Sequence, residues 1–223
     1  MSPPNLATLR SSNASIVSAL KGTPVAVFVG GTSGIGQGLA ESFAAWRNGN
    51  AHIVLVGRNE KAASAIIEKF PKLTTSDASS PSSTPPSYSF VQCDATLMKN
   101  VKAASEEILA KHPKINYLIL SPGFFSTSGR DETLEGIDKK LAVHYYARFK
   151  FIEELLPALR KAKEDGEEAK VLTVLGAGRG SKINVEDLGL KKHFSPIAAA
   201  GAAPTYNDLA MEVRRPVLHQ LSE

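Results

Sequence analysis

Pro24-Val-Ala-Val-Phe-Val29 runs directly into Gly30-Gly-Thr-Ser-Gly34-Ile-Gly36, after which Ile35, Leu39, Phe43 and Trp46 recur at helical spacing. A short run that is apolar at every position reads as a strand buried on both faces, and the recurrence after it as an amphipathic helix. Glycines at such a junction let the chain turn tightly and approach another group with no Cβ in the way. The helix N-terminus then offers unpaired N–H groups and a partial positive charge, so the junction predicts a cradle for a phosphate anion. Gly30, Thr32, Ser33, Gly34, Ile35 and Gly36 are the candidate contacts, the two hydroxyls serving as extra donors. The spacing is G-x-x-x-G-x-G. A G-x-G-x-x-G reading from Gly34 would want glycine at 39, where Leu39 stands.

Outward from this junction the alternation of strand and helix continues. Ile53-Val-Leu-Val56 is the next strand and Glu60 to Phe70 the next helix. A Ser/Thr/Pro-rich stretch follows Pro71, and residues 71–87 read as a surface loop insertion rather than a domain boundary. Tyr88 to Cys93 resumes the strand pattern, Leu97, Val101, Ala104 and Ile108 mark a helix, and Tyr117-Leu-Ile-Leu120 a fourth strand. A long helix with Leu141, Tyr145, Phe149, Ile152 and Leu156 on one stripe leads to a fifth strand, Lys170 to Leu175. With right-handed crossovers this is a doubly wound, Rossmann-like α/β domain over residues 24–223, strand order 3-2-1-4-5, with helices on both faces of a parallel sheet. Residues 1–23 form an N-terminal extension. The sequence ends after the helix following strand five, so that strand is expected to expose an edge. A second copy of the chain is the expected partner there or along the long helices.

In a sheet of this kind a ligand lies across the carboxyl ends of the strands. Strand two ends in Gly57-Arg58-Asn59, where a carboxylate would pair with a ribose 2′-hydroxyl. Arg58, beside Asn59, instead offers a guanidinium fork to a 2′-phosphate, which selects NADP over NAD. Asp94 and Ala95 close strand three, where a carboxylate reaches the adenine amino group, and Ser121 and Gly123 close strand four.

Composition narrows the alternatives. The 223 residues are 43% hydrophobic and 22% charged, enough for one sizeable core and unlike collagenous or disordered chains. The net charge of +4 is spread out, and the bases between Lys139 and Lys163 are diluted by Glu153, Glu154 and Glu164. That segment reads as a solvated helix face, and no basic run carries interleaved aromatics for nucleic acid. Apolar runs are too short to span a membrane. A lone Cys93 forms no internal disulfide, and the N-terminus lacks a basic n-region with an apolar core, so the expected location is cytoplasmic. The five histidines are scattered, and no metal site is expected.

Together these residues resemble the short-chain dehydrogenase/reductase family. Val29-Gly-Gly-Thr-Ser-Gly-Ile-Gly36 is similar to its T-G-x-x-x-G-I-G motif, with Val29 for the leading Thr, and Leu120-Ser-Pro-Gly123 takes the place of its N-N-A-G. Leu6-Ala-Thr-Leu-Arg-Ser-Ser-Asn13 and Val143-His-Tyr-Tyr-Ala-Arg-Phe149 resemble a divergent branch from fungal biosynthetic pathways. The resemblance implies an oxidoreductase that passes hydride between NADP(H) and a carbonyl or alcohol. It also implies a Tyr as acid/base, a Lys that lowers its pKa, a Ser on the reacting oxygen and an Asn that anchors a relay water. Aligned position by position, those places hold Ala200, Pro204, Gly176 and His144. His144 and Tyr206 are the candidate substitutes. A catalytically silent nucleotide-binding protein and a non-redox cyclase or isomerase are the other readings. A proline cannot donate to the carbonyl of Ala200, so the last helix is expected to begin near Pro204, with Pro216 a second kink.

Overall fold

The computed structural model of the protein describes residues 4–19, 22–72 and 85–219. Most of the expected 71–87 insertion lies outside the described residues. Five parallel strands form one sheet in the order β3-β2-β1-β4-β5, with β1 Val25–Val29, β2 His52–Gly57, β3 Tyr88–Gln92, β4 Tyr117–Leu120 and β5 Lys170–Thr173. This is the doubly wound, Rossmann-like arrangement expected. Val27 pairs with Val54 on one side and Leu118 on the other. The strand order reverses between β1 and β4, which opens a crevice at their carboxyl ends.

Alternation along the strands divides the core into two layers. Val25, Val27, Val29, Val54, Val56, Leu118 and Leu120 point to one face. There they pack under α4 (Met98–Lys111) and α6 (Ala147–Glu164). Ala26, Phe28, Ile53, Leu55 and Ile119 point to the other, under α2 (Gly34–Trp46) and α3 (Glu60–Ile67). A smaller third cluster joins Leu141 to Leu190, Ala199, Ala202 and Tyr206. It ties α5 (Lys139–Leu141) and the π turn Ala142–Tyr146, which precede α6, to α7 (Pro196–His219).

Several local expectations change. The buried face of α2 is Gly36, Ala40 and Ala44, while Ile35 is 64% and Trp46 55% exposed. Leu39 and Phe43 of the expected stripe pack partly buried against the sheet, but at its N-terminus the helix lies so close to the strand ends that only glycine fits beneath it. A Cβ on Gly36 would collide with Ser121 Oγ and Gly30 O. The N-terminal extension contains a helix, α1 (Leu6–Ala19), started by Asn5 Oδ1 accepting from Thr8 N at 2.9 Å. The last helix begins not at Pro204 but at Pro196, where Ser195 Oγ accepts from Ala198 N at 3.0 Å. A proline at the first helical position behind a serine cap obeys the same rule at an earlier proline. Pro204 and Pro216 lie inside α7.

The segment from Lys139 to Lys163 is not uniformly solvated. Lys140 is 6% and Arg148 2% exposed, and together with His144 they occupy positions i, i+4 and i+8 of one helical face. The sheet edge at β5 leaves Leu172 half exposed.

Candidate functional site

Two adjoining cavities open at the carboxyl ends of the strands, and Phe124 belongs to the walls of both. The first, of about 340 Å³, lies across the β1–α2 turn. Gly30, Thr32, Ser33, Gly34, Ile35, Gly36, Arg58, Asp94, Ala95, Ser121 and Gly123 all line it. Of the expected nucleotide contacts only Asn59 is absent from this wall, its Oδ1 capping α3 by accepting from Ala62 N at 3.0 Å.

The turn is built by close approach. Gly30 has φ +79°, and a Cβ on it would stand 2.8 Å from Pro122 N, so the β1 and β4 turns touch through bare backbone. Ser33 is the N-cap of α2, yet its side chain makes no capping bond. The first-turn amides of α2 therefore face the cavity without a side-chain acceptor, which fits a diphosphate. Arg58 is exposed on the same wall. Asp94 Oδ1 accepts from Thr96 N at 3.0 Å and from Thr96 Oγ1 at 2.8 Å, an Asx turn that orients the carboxylate.

The second cavity, of about 410 Å³, lies between the segment after β4 and the start of α7. His144, Gly176, Ala200 and Pro204, the four residues that the resemblance aligns with the family's Asn, Ser, Tyr and Lys, all line it. The imidazole of His144 stacks on Phe124 at 5.7 Å and its Nε2 accepts from Phe124 N at 3.3 Å. Nδ1 then carries the hydrogen of the neutral ring. Burial, with the Arg148 guanidinium adding to it, pushes His144 down to about 4. At neutral pH it is a hydrogen-bond donor and not an ionised acid. Its carbonyl, in the π turn, accepts from Asn207 Nδ2 at 2.8 Å.

Tyr206 stands apart. It lines neither cavity; its hydroxyl donates to Leu188 O at 2.9 Å and its ring packs edge-on against Tyr145 at 5.3 Å.

Three groups near the site are not singled out by the sequence pattern. Arg148 donates from Nη1 to Leu120 O at 3.0 Å and Thr173 Oγ1 at 2.6 Å, and from Nη2 to Pro122 O at 2.7 Å. It thereby clamps the ends of β4 and β5 and the turn that carries Ser121 and Gly123. Lys140 donates to Ser128 O at 2.9 Å and Gly129 O at 3.2 Å from within the second cavity's wall, and Asn207 supplies the amide on His144. The one available signal is Arg148's place one helical turn before Phe151 and Ile152 in the buried stripe. Among the described residues no helix is long and apolar enough to cross a membrane, and no group of three or more His, Cys, Asp or Glu side chains is placed to hold a metal ion.

Comparison with known proteins agrees with this fold. Residues 24–180 match the family model of short chain dehydrogenases. The chain is 36% identical to an oxidoreductase of Emericella nidulans over 93% of its length, which is 58% of that protein. It is 32% identical to oxidoreductase andH of Emericella variicolor over 98% of its length and 60% of that protein. It is thus similar to well under two thirds of each relative. A metagenomic short-chain oxidoreductase solved in complex with NADP superposes with a TM-score of 0.66 at 18% identity, covering 90% of this chain and 78% of that one. A family model matching more than half of the sequence, two relatives above 30% identity and a shared strand order lead to one conclusion: the chain belongs to the short-chain dehydrogenase/reductase family.

Proposed function

We propose that the protein binds NADP(H) in the first cavity and acts as an oxidoreductase on a carbonyl or alcohol held in the second, in a biosynthetic setting. The observation that carries this is the convergence of the uncapped α2 amides and the Arg58 guanidinium on one wall. Amides at a helix N-terminus suit a diphosphate, and a guanidinium at the end of the second strand suits a 2′-phosphate. NADPH, when bound, supplies hydride. The chain's own contribution in this reading is to orient and polarise: neutral His144 donates from Nδ1 to the carbonyl oxygen, and water in the open cavity supplies the proton that completes the alcohol. Tyr206, held by Leu188, takes no part.

The test is a titration of the purified chain with NADPH and NADH, followed by incubation with a panel of carbonyl compounds while nicotinamide absorbance is recorded. The reading expects NADPH to bind at least tenfold tighter than NADH, and oxidation with some carbonyl to disappear in His144→Ala. Failure to bind either nucleotide overturns it.

One observation favours a second reading, in which the site binds nucleotide without turnover or catalyses a non-redox rearrangement. Asn207 Nδ2 occupies the carbonyl of His144, the residue that the resemblance aligns with the family's water-anchoring Asn, and the same alignment puts Ala200 and Pro204 at its Tyr and Lys. That reading expects NADPH binding with an absorbance that never changes.

A further inference from the structure

The second cavity carries a combination of surfaces that narrows its ligand beyond the word carbonyl. Phe125 and Ile197 stand 92% and 85% exposed on its rim, with Ala200, Ala203 and Pro204 continuing the same apolar wall. Large apolar side chains gathered round a concavity of 300–1,000 Å³ mark a site for an apolar molecule. Its volume of about 410 Å³ lies within that range.

The charged side chains of the wall have one sign. Lys140 and Arg179 line the cavity, and among the described residues no Asp or Glu does. Lys140 is almost fully buried, forms no ion pair with a described residue, and bonds the neutral carbonyls of Ser128 and Gly129, with its ammonium 5.2 Å from the centre of the Phe194 ring. A buried ammonium satisfied by neutral groups keeps its whole charge for whatever enters beside it. The nearby buried carboxylate, Asp138, lines neither cavity and its oxygens accept from Asp131 N, Lys140 N and Leu141 N, although its charge still reaches His144. Arg148, equally buried and bonded to carbonyls and a hydroxyl, adds positive charge behind the cavity, while His144 contributes none at neutral pH. Arg179 is exposed at the mouth, where a guanidinium fork can take a carboxylate in two parallel bonds.

We propose that this cavity takes a ligand with an apolar body and a carboxylate head, the head held by Arg179 in the field of Lys140 and the body lying against Phe125 and Ile197. The inference rests on the reading of the two cavities as the cofactor and substrate halves of one site, and deepens it by naming the substrate class. Uncharged carbonyl compounds of the same skeleton are then poor ligands, because they leave the cationic wall without a partner.

Isothermal titration of the full chain with decanoate, methyl decanoate and decanol, in the presence and absence of NADPH, tests this. The expected result is decanoate binding at least tenfold tighter than its ester and alcohol. In Arg179→Ala the preference falls about tenfold while affinity for the ester is unchanged, and Arg179→Lys recovers part of it. Arg179 lies outside the first cavity, so NADPH affinity stays the same in both variants. Equal binding of acid and ester, or an acid preference untouched by Arg179→Ala, overturns the inference even if NADPH binds. Loss of NADPH binding with the acid preference intact instead overturns the cofactor reading, and with it the ligand's role as substrate, while the cavity's carboxylate selectivity stands.

Discussion

In the proposed NADP(H) reading Arg58 selects the nucleotide through charge alone, since its side chain is exposed and sits on the wall of the first cavity. An exposed guanidinium that meets a 2′-phosphate gains charge-assisted hydrogen bonds of about 1.5–3 kcal/mol, roughly ten- to a hundredfold in affinity. Arg58→Ala is therefore expected to weaken NADPH by that factor and leave NADH nearly unchanged, and Arg58→Glu to invert the preference. Competitive titration of the two nucleotides against each variant reads this directly, and a loss equal for both would show that Arg58 supports the turn and not the phosphate. The contrast with Arg148 is instructive. That guanidinium is buried and donates to Leu120 O, Pro122 O and Thr173 Oγ1, so its removal would disturb both nucleotides alike by releasing the β4 turn. Two arginines near one site thus differ in what they do because one faces solvent and the other faces carbonyls.

At the scale of elements, α7 shows a local cost carried by its surroundings. Pro204 lies inside the helix, where it has no N–H for the carbonyl of Ala200 and its ring crowds that oxygen. The helix persists because it is strapped from outside: Ser181 N donates to Gly201 O at 3.1 Å and to Thr205 Oγ1 at 3.0 Å, and Thr205 Oγ1 donates back to Ser181 O at 2.8 Å. Pro204→Ala restores the missing bond and removes the crowding, so it is expected to raise unfolding free energy by about 1–3 kcal/mol. Urea denaturation reads the gain as a higher midpoint at unchanged slope, and an unmoved midpoint would mean that the strap already offsets the whole cost. The same helix shows why part of the structure is legible in the sequence and part is not. The strands and their order follow from runs such as Val25 to Val29, which have only one way to bury both faces. Helix faces are set by what lies beneath. The expected stripe of Leu141, Tyr145, Phe149, Ile152 and Leu156 is buried at Leu141 and Ile152, but the π turn Ala142–Tyr146 lies within it and shifts the phase that a 3.6-residue period assumes. In α6 the fully buried stripe adds Arg148, Phe151 and Leu155 to Ile152. Counting charges along that segment suggests a solvated face, because periodicity gives no indication that carbonyls at the end of β4 await a buried cation. In the first cavity the glycine turn, Arg58 and Asp94 are readable because a strand-to-helix junction fixes where backbone and strand ends meet. The second cavity depends on how the 124–127 loop, the segment after β5 and α7 fold together over long sequence distances, and local pattern carries no record of that.

For the whole molecule, titration couples the two ends of the sheet. At the foot, His52 opens β2 and His112 follows α4, their ring centres 5.5 Å apart. Burial lowers both pKa values, and for His112 the neighbouring His52 and Lys111 lower it further. At the opposite end, His144 is pushed from 6.5 to about 4. In each case the folded protein binds its proton later than the unfolded chain, so stability rises with pH through this window. The contribution is complete above about pH 6.5, where neither state is protonated, and is lost progressively as the pH falls below it, until the folded-state values are reached. For His144 alone the loss is about 2 kcal/mol by about pH 5 and approaches about 3–4 kcal/mol near pH 4, since each tenfold difference in proton affinity between the folded and unfolded chain is worth roughly 1.4 kcal/mol. Urea midpoints measured between about pH 8 and about pH 5 are expected to stay flat down to about 6.5 and then decline. His52→Gln with His112→Gln should remove the part of that slope owed to the foot of the sheet, leaving a shallower decline from His144. A midpoint that stayed level to about pH 5 would show that the three rings gain solvent or partners on protonation without opening the fold.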